Sequence, residues 1–191
     1  MTIKHLAGAL ALAALGTAGA HAAPISLQHA IITATYNGEA AAMLGLDHGF
    51  AAEPGSNTTA LDPTGTGVEF LTADFQFGID FTADGALTVI ANGAIPTGAY
   101  SMRFDFGSSL AAPIGAFTFL GNSGSSGNPA LSIVDDHTIS LDLSAVQWTE
   151  FGSVTAQIGT AAAVPEPSSV ALLVAGLMGL AFAWRPRRER H

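Results

Sequence analysis

The middle of the chain alternates apolar and polar residues with a period of two, and this pattern constrains the fold more than any other feature. In a β-strand such alternation turns every second side chain toward a core and the others toward water. Four segments show the pattern clearly: Phe75–Phe81, Tyr100–Phe106, Thr138–Leu143 and Val154–Ile158. Weaker strand candidates are Ile25–Tyr36, Leu87–Ala91, Ile114–Leu120 and Leu131–Val134.

Turn signals separate these segments. The run Thr82–Ala86 predicts a hairpin between Phe81 and Leu87, and the glycine-rich run Gly121–Gly127 predicts a loop tip. About seven or eight short strands with such turns predict an all-β body, an antiparallel β-sandwich or a jelly roll. Between the strands we expect one helical turn over Glu39–Leu44 and a long loop over Asp47–Gly67.

The first 22 residues have the order of a secretory signal peptide. Lys4 lies in a short charged head, an apolar run follows from Leu6 to Leu15, and small residues end in Ala20-His21-Ala22. This order predicts cleavage by signal peptidase after Ala22, so that Ala23 becomes the new N-terminus. An uncleaved N-terminal anchor is the alternative, but the apolar run is short for a membrane span.

The C-terminal block has three parts. Pro165-Glu166-Pro167 precede a charge-free apolar segment, and a basic tail follows at residues 185–191 with Arg185, Arg187, Arg188 and Arg190. Residues 168–184 are close to the length that crosses the hydrocarbon core of a membrane if the Arg185 side chain extends to the interface. We therefore predict one transmembrane helix there. Because basic clusters stay on the cytoplasmic side, residues 23–163 are predicted to form a β-rich extracytoplasmic domain.

This order of motif, apolar helix and basic tail resembles the PEP-CTERM signal of Gram-negative bacteria. The resemblance covers residues 164–191 and makes Pro165, Glu166 and Pro167 the sorting motif. It implies recognition by exosortase, an integral-membrane enzyme that cuts near the motif. It also implies that the chain belongs to bacteria that make exopolysaccharide, and that its destination is the cell surface or the matrix.

The body between the two end blocks is strongly acidic. Residues 23–164 contain thirteen Asp and Glu against one base, Arg103, a formal charge of −12. Such a surface repels nucleic acid and anionic lipid, so neither is expected to bind it. The chain has no cysteine, which excludes disulfides, thiolate chemistry and a lipidated cysteine.

Two Asp–His clusters are the best candidates for chemistry: Asp47-His48 and Asp135-Asp136-His137. A metal site would pair these histidines with carboxylates. We favour the alternative that both are turns, because Asp side chains bond to turn backbone. Calcium would suit the many carboxylates better than zinc, but no Asp-x-Asp-x-Asp-Gly spacing occurs.

Trp148 and Phe151 flank Thr149-Glu150. An exposed Trp on a sandwich could stack on a sugar ring, although packing in the core or at a strand end is the more usual role of such an aromatic residue. A serine hydrolase has little support, because the chain has no Gly-x-Ser-x-Gly elbow. The body histidines are His29, His48 and His137. We therefore predict no catalytic residue and no cofactor.

These observations predict a non-enzymatic, structural or adhesive protein of the cell surface or extracellular matrix. Its expected partners are the export machinery, signal peptidase, exosortase, the inner membrane as a transient anchor, and exopolysaccharide. A carbohydrate- or calcium-binding β-sandwich is the alternative, and an exported hydrolase is the third hypothesis.

Overall fold

The structure is a computed structural model that describes residues 22–46, 56–62 and 64–161. Residues Ala22–Ala162 form one compact unit. The described part contains eleven β-strands and two short 3-10 helices, Ala40–Ala42 and Gly107–Ser109, and no α-helix. The strands are β1 Ile31–Tyr36, β2 Met43–Gly45, β3 Thr58–Ala60, β4 Phe70–Thr72, β5 Phe77–Phe81, β6 Ala86–Ala91, β7 Ser101–Asp105, β8 Ala116–Ser126, β9 Ala130–Asp135, β10 Thr138–Asp142 and β11 Gln147–Gly159.

The strands form two sheets. One has five strands in the order β3-β1-β7-β10-β9, and the other has six in the order β2-β4-β5-β6-β11-β8. Neighbouring strands pair antiparallel in both sheets. The prediction of an all-β antiparallel body is confirmed, and the two sheets are consistent with a sandwich.

Aromatic side chains join the two sheets. On β5, Phe77 and Phe81 are fully buried and point away from the six-stranded sheet. The Phe77 ring meets Tyr36 of the other sheet edge-on, with centroids 6.1 Å apart. The Phe81 ring meets Phe104 at 5.1 Å and Phe106 at 5.9 Å, also edge-on. Such edge-to-face pairs stabilise beyond the area they bury, so β5 fastens one sheet to the other.

The register defines two ends of the body. Gly159 at the end of β11 pairs with Ala116, the first residue of β8, while Gln147 pairs with Ser126. Pro24 forms a bridge with Gly159, so the first described residues lie at the same end as the last strand's exit. We call the end with Pro24 and Gly159 the terminal pole, and the end with Ser126 and Gln147 the distal pole.

The predicted hairpin between Phe81 and Leu87 is confirmed, since these two residues pair and Gly85 turns the chain with φ +85°. The predicted helical turn at Glu39–Leu44 is only a 3-10 turn, and the chain continues as β2. The region predicted as a long loop contains β3, which pairs with β1. Residues 47–55 and 63 lie outside the described residues.

The predicted loop tip Gly121–Gly127 is wrong. The chain stays in β8 as far as Ser126 and turns only at Gly127, where φ is +84°. Glycine and serine have low strand propensity, but Ser123 pairs with Ser153 and Ser125 with Trp148. Pairing with the long neighbour β11 overrides the local preference.

The predicted burial of Phe75 is also wrong. β5 begins at Phe77, and Phe75 lies in the preceding turn, where its N–H donates to the Thr72 carbonyl at 2.8 Å. Its side chain is 58 % exposed and its φ is +57°. The buried face of the strand therefore begins at Phe77, two residues later than the sequence pattern indicates.

The targeting segments fall largely outside the described residues. This holds for residues 1–21 of the predicted signal peptide and for the predicted transmembrane helix at 168–184. Among residues 22–46, 56–62 and 64–161, no helix has the length and apolar character that crossing a membrane requires.

We predict that Phe77→Ala lowers the free energy of unfolding of residues 23–161 by about 3–5 kcal/mol, because it removes the ring that contacts both sheets. Phe75→Ala is the matched control: the same truncation two residues earlier, at an exposed site, should change stability by less than about 0.5 kcal/mol. Urea titration followed by far-UV circular dichroism measures both. Equal effects of the two substitutions, or a helical spectrum of the unsubstituted body, would contradict this fold.

Candidate functional site

The two ends of the body meet at the terminal pole. The Thr160 N–H donates to the Ala23 carbonyl at 2.8 Å, and the Ile25 N–H donates to the Ile158 carbonyl at 3.2 Å. Of the predicted cleavage residues, Ala22 and Ala23 are exposed here, and Ala20 lies outside the described residues. The chain therefore enters and leaves the body side by side.

Gly115 makes room for the departing chain. A Cβ atom at this position would lie 2.1 Å from the Ala161 nitrogen, so no other residue fits without moving the backbone. The Gly115 N–H also donates to the Gly159 carbonyl at 2.9 Å. The sorting motif Pro165, Glu166 and Pro167 begins four residues after Ala161, and it lies outside the described residues together with Arg185, Arg187, Arg188 and Arg190.

The cluster Asp135-Asp136-His137 is the turn between β9 and β10, as predicted. The Asp135 carboxylate accepts a hydrogen bond from the His137 N–H at 2.9 Å, and this bond is the main cause of its lowered pKa. The Asp136 carbonyl accepts from the Ile114 N–H at 2.8 Å. These bonds hold the turn and tie it to the segment before β8.

No three His, Asp or Glu side chains gather into a metal-binding cluster in the part of the chain that the structure describes. Asp47 and His48 lie outside that part. His29, another body histidine, occupies an exposed turn with φ +65°.

Two carboxylates organise the loop between β3 and β4. The Asp62 carboxylate accepts hydrogen bonds from the Thr64 N–H at 2.8 Å, the Thr64 hydroxyl at 2.7 Å and the Gly67 N–H at 3.1 Å. Glu69 is fully buried, and its oxygens accept from the Asp62 N–H at 3.0 Å and from the Phe81 N–H at 2.6 Å. Glu69 thus ties the loop to β5.

The same loop perturbs two pKa values in opposite directions. Hydrogen bonds from the Thr64 hydroxyl and N–H lower the pKa of Asp62 to about 2. Burial raises the pKa of Asp80, and the negative charge of Asp62 raises it further. Asp62 therefore favours the folded state when it is ionised.

We predict that Asp62→Asn flattens the dependence of stability on pH between about pH 4 and pH 2. The folded-state pKa of Asp62 is lowered, so its contribution is present above the unfolded pKa and lost as pH falls to about 2. Urea titrations at several pH values in this window measure the slope. Equal slopes for Asp62→Asn and the natural chain would refute the prediction.

Trp148 is a packing residue. Its side chain is 6 % exposed, and its ring lies edge-on to Phe77 with centroids 5.1 Å apart. The favoured core-packing interpretation is confirmed, and sugar stacking by Trp148 is wrong because the ring is covered.

Among the described residues, Phe75 and Phe151 are the aromatic side chains that are exposed. Phe151 is 67 % exposed in the part of β11 that bulges opposite Gly124, and both phenylalanines have φ +57°. A left-handed backbone costs a bulky residue roughly 1–2 kcal/mol, and exposure returns little burial energy. Each phenylalanine therefore occupies a position that folding alone does not favour.

The two phenylalanines lie on the same pole. The Asn92 side-chain amide donates to the Phe75 carbonyl at 3.1 Å, at the distal end of β6. Ser153 pairs with Ile90 of β6, which places Phe151 beside the same strand end from the other side. With about 4.8 Å between strands, the two backbones are roughly 10 Å apart.

A repeated turn explains Phe75 and could have revealed it. Thr72-Ala73-Asp74 and Thr82-Ala83-Asp84 are identical, and each Thr carbonyl accepts the N–H of the residue after Asp, at 2.8 and 3.0 Å. That residue is Gly85 in the second turn and Phe75 in the first. Sequence reasoning assigned Phe75 to the strand because it weighed alternation above this turn motif.

One shallow cavity holds about 220 Å³, below the range of roughly 300–1,000 Å³ usual for ligand pockets. It lies at the terminal end of the five-stranded sheet, and Asp105 is the one ionisable side chain that lines it. The nearby Ser109 hydroxyl is engaged, since it donates to the Phe106 carbonyl at 2.6 Å.

The described part is thus an acidic, two-sheet antiparallel β protein whose chain leaves from the terminal pole. Beyond it, the family model of the PEP-CTERM protein-sorting motif matches residues 163–188, which confirms the resemblance of the C-terminal segment. The match supports an exported protein that exosortase processes. No curated protein and no solved structure matches the chain.

Proposed function

We propose that this chain is an exported, non-enzymatic protein of the cell surface or extracellular matrix, with a structural or adhesive role near exopolysaccharide. In this proposal signal peptidase removes residues 1–22 and exosortase cuts near Pro165-Glu166-Pro167. Before that cut, residues 168–184 anchor the chain in the inner membrane. The observation that carries the proposal is the match of residues 163–188 to the sorting motif.

The geometry of the body supports processing at both ends. The buried core extends from Ile25 to Ile158, so it uses no residue of either targeting segment. Ala23, the proposed new N-terminus, and Thr160, five residues before the sorting motif, are hydrogen-bonded neighbours at the terminal pole. Removal of the two segments leaves the contacts between the sheets in place.

The composition of the body supports an extracellular role. With one base against thirteen acids, its surface repels anionic membranes and nucleic acid. The core holds together without a disulfide, so folding needs no oxidising enzyme after export.

We predict that Glu166→Ala combined with Pro167→Ala retains the full-length protein in the inner membrane, because exosortase no longer recognises it. Ser168→Ala with Ser169→Ala, directly after the motif, is the control and should leave sorting unchanged. Cell fractionation and mass spectrometry of both protein ends measure the outcome. Normal release of the motif variant, or an extracellular form that still contains Trp184, would sink the proposal.

A second function, carbohydrate binding by the body, is favoured by one observation. Phe75 and Phe151 present exposed rings at the distal pole, and Asn92, whose amide donates to the Phe75 carbonyl, follows β6, the strand between β5 and β11. Aromatic faces with neighbouring amides suit a sugar, which offers both C–H faces and hydroxyl groups. No metal enters this proposal.

We predict that Phe75→Gly with Phe151→Gly abolishes binding of residues 23–161 to exopolysaccharide purified from the producing bacterium. The fold should persist, because glycine accepts φ +57° without the cost that phenylalanine bears. Isothermal titration calorimetry measures binding, and Ile31→Thr, at a half-exposed apolar residue of the terminal half, is the control. Undiminished binding by the double variant would exclude this site and leave the sorting proposal untouched.

A further inference from the structure

The two sides of the body end differently. On one side the edge strands β2 and β3 have three residues each, and they are joined because the Gly45 N–H donates to the Ser56 carbonyl at 2.7 Å. On the other side the edges are β8, with eleven residues, and β9, with six. In the described residues no strand pairs with the outer edge of either one. One side of the body is therefore closed and the other open.

The open edge of β8 has neither charge nor proline to protect it against pairing, although a β-bulge interrupts it at Leu120. Natural edge strands carry charges or proline, or are short, whereas Ala116–Ser126 contains no charged residue and no proline. Its first half, Ala116–Leu120, is rich in β-forming residues, and Leu120 is 60 % exposed. On β9, Ile133 and Val134 are also exposed. This side offers free backbone groups beside apolar side chains.

The distribution of charge indicates what pairs there. An acidic body repels a second copy at long range, but β8 is neutral and β9 carries one acid, Asp135, at its end. Parallel pairing of two copies would stack the Asp135 carboxylates, whereas symmetric antiparallel pairing sets each one opposite the partner's Ala130. Like charges directly opposite destabilise a sheet, so the antiparallel arrangement is favoured.

We propose that the β8–β9 side binds the same side of a second copy of this chain, with the strands antiparallel. A two-fold axis perpendicular to the sheets brings β8 against β8 and β9 against β9, so both open edges are used at once. A single strand of another partner could pair with only one of them. This inference concerns residues 116–135 and does not depend on how the chain is sorted.

The arrangement has a geometric consequence. Reversal of the strands puts the terminal poles of the two copies at opposite ends of the dimer. Copies held upright on one membrane cannot pair in this way, whereas released copies, or copies on facing surfaces, can.

Sedimentation equilibrium of residues 23–161 tests the proposal. A dimer is expected, with tighter association at higher salt because salt screens the repulsion between acidic bodies. Thr118→Lys with Leu120→Lys adds charge at two exposed positions of β8 and should abolish the dimer. Ala94→Lys with Ala99→Lys adds the same charge to the exposed loop between β6 and β7 and should not. A monomer at about 1 mM, or equal effects of the two pairs, overturns the proposal.

Cysteine cross-linking tests the direction of the strands, since the chain has no cysteine of its own. Gly121→Cys is tolerated because nothing lies within 4 Å of a Cβ built there. In a symmetric antiparallel pair, at least one single cysteine at Thr118, Gly121 or Ser123 should form an intermolecular disulfide on mild oxidation. Gly93→Cys has equal space around its Cβ and should stay unlinked. Failure of all three β8 variants to link, or equal linking of Gly93→Cys, overturns the antiparallel edge.

Discussion

Edge-to-face contact between aromatic rings of opposite sheets is the interaction on which the body depends. Phe77 is central to it, because its ring meets Tyr36 of β1 at 6.1 Å and Tyr100, which directly precedes β7, at 5.4 Å. No disulfide crosses between the sheets, so packing alone sets their spacing. The poles, the turns and the open side follow from how the strands end around these ring contacts.

Part of the acidity of the body is turn chemistry. Five aspartates accept a hydrogen bond from the backbone N–H two residues ahead, the pattern of an Asx turn: Asp62, Asp74, Asp105, Asp135 and Asp142. The many carboxylates suggested calcium binding, but at these five positions the carboxylates stabilise turns. All of these except Asp62 are exposed, so four of the turn carboxylates also contribute to the negative charge of the surface.

Alternation predicted most of the strands because burial on one face of a sheet is a local, periodic demand. It was less accurate at the ends of strands, where turns decide: Phe77, not Phe75, begins β5. The glycine-rich end of β8 could not be predicted from its own residues, since its strand form comes from pairing with β11. At the candidate sites, the sequence correctly favoured core packing for Trp148 and a turn for Asp135-Asp136-His137. It missed the exposed Phe75, whose position depends on a turn shared with Gly85.

The placement of β11 determines how the body would respond to mechanical load. This strand of thirteen residues lies between β6 and β8 and is the last one before the chain departs beyond Ala161. A force applied to the chain beyond Ala161, while the distal pole is held, acts along β11. It strains the hydrogen bonds to β6 and to β8 at the same time. Shear of that kind is resisted collectively, whereas peeling an edge strand breaks its bonds one after another. A load on the chain beyond Ala161 would therefore act on a strand that is held by neighbours on both sides.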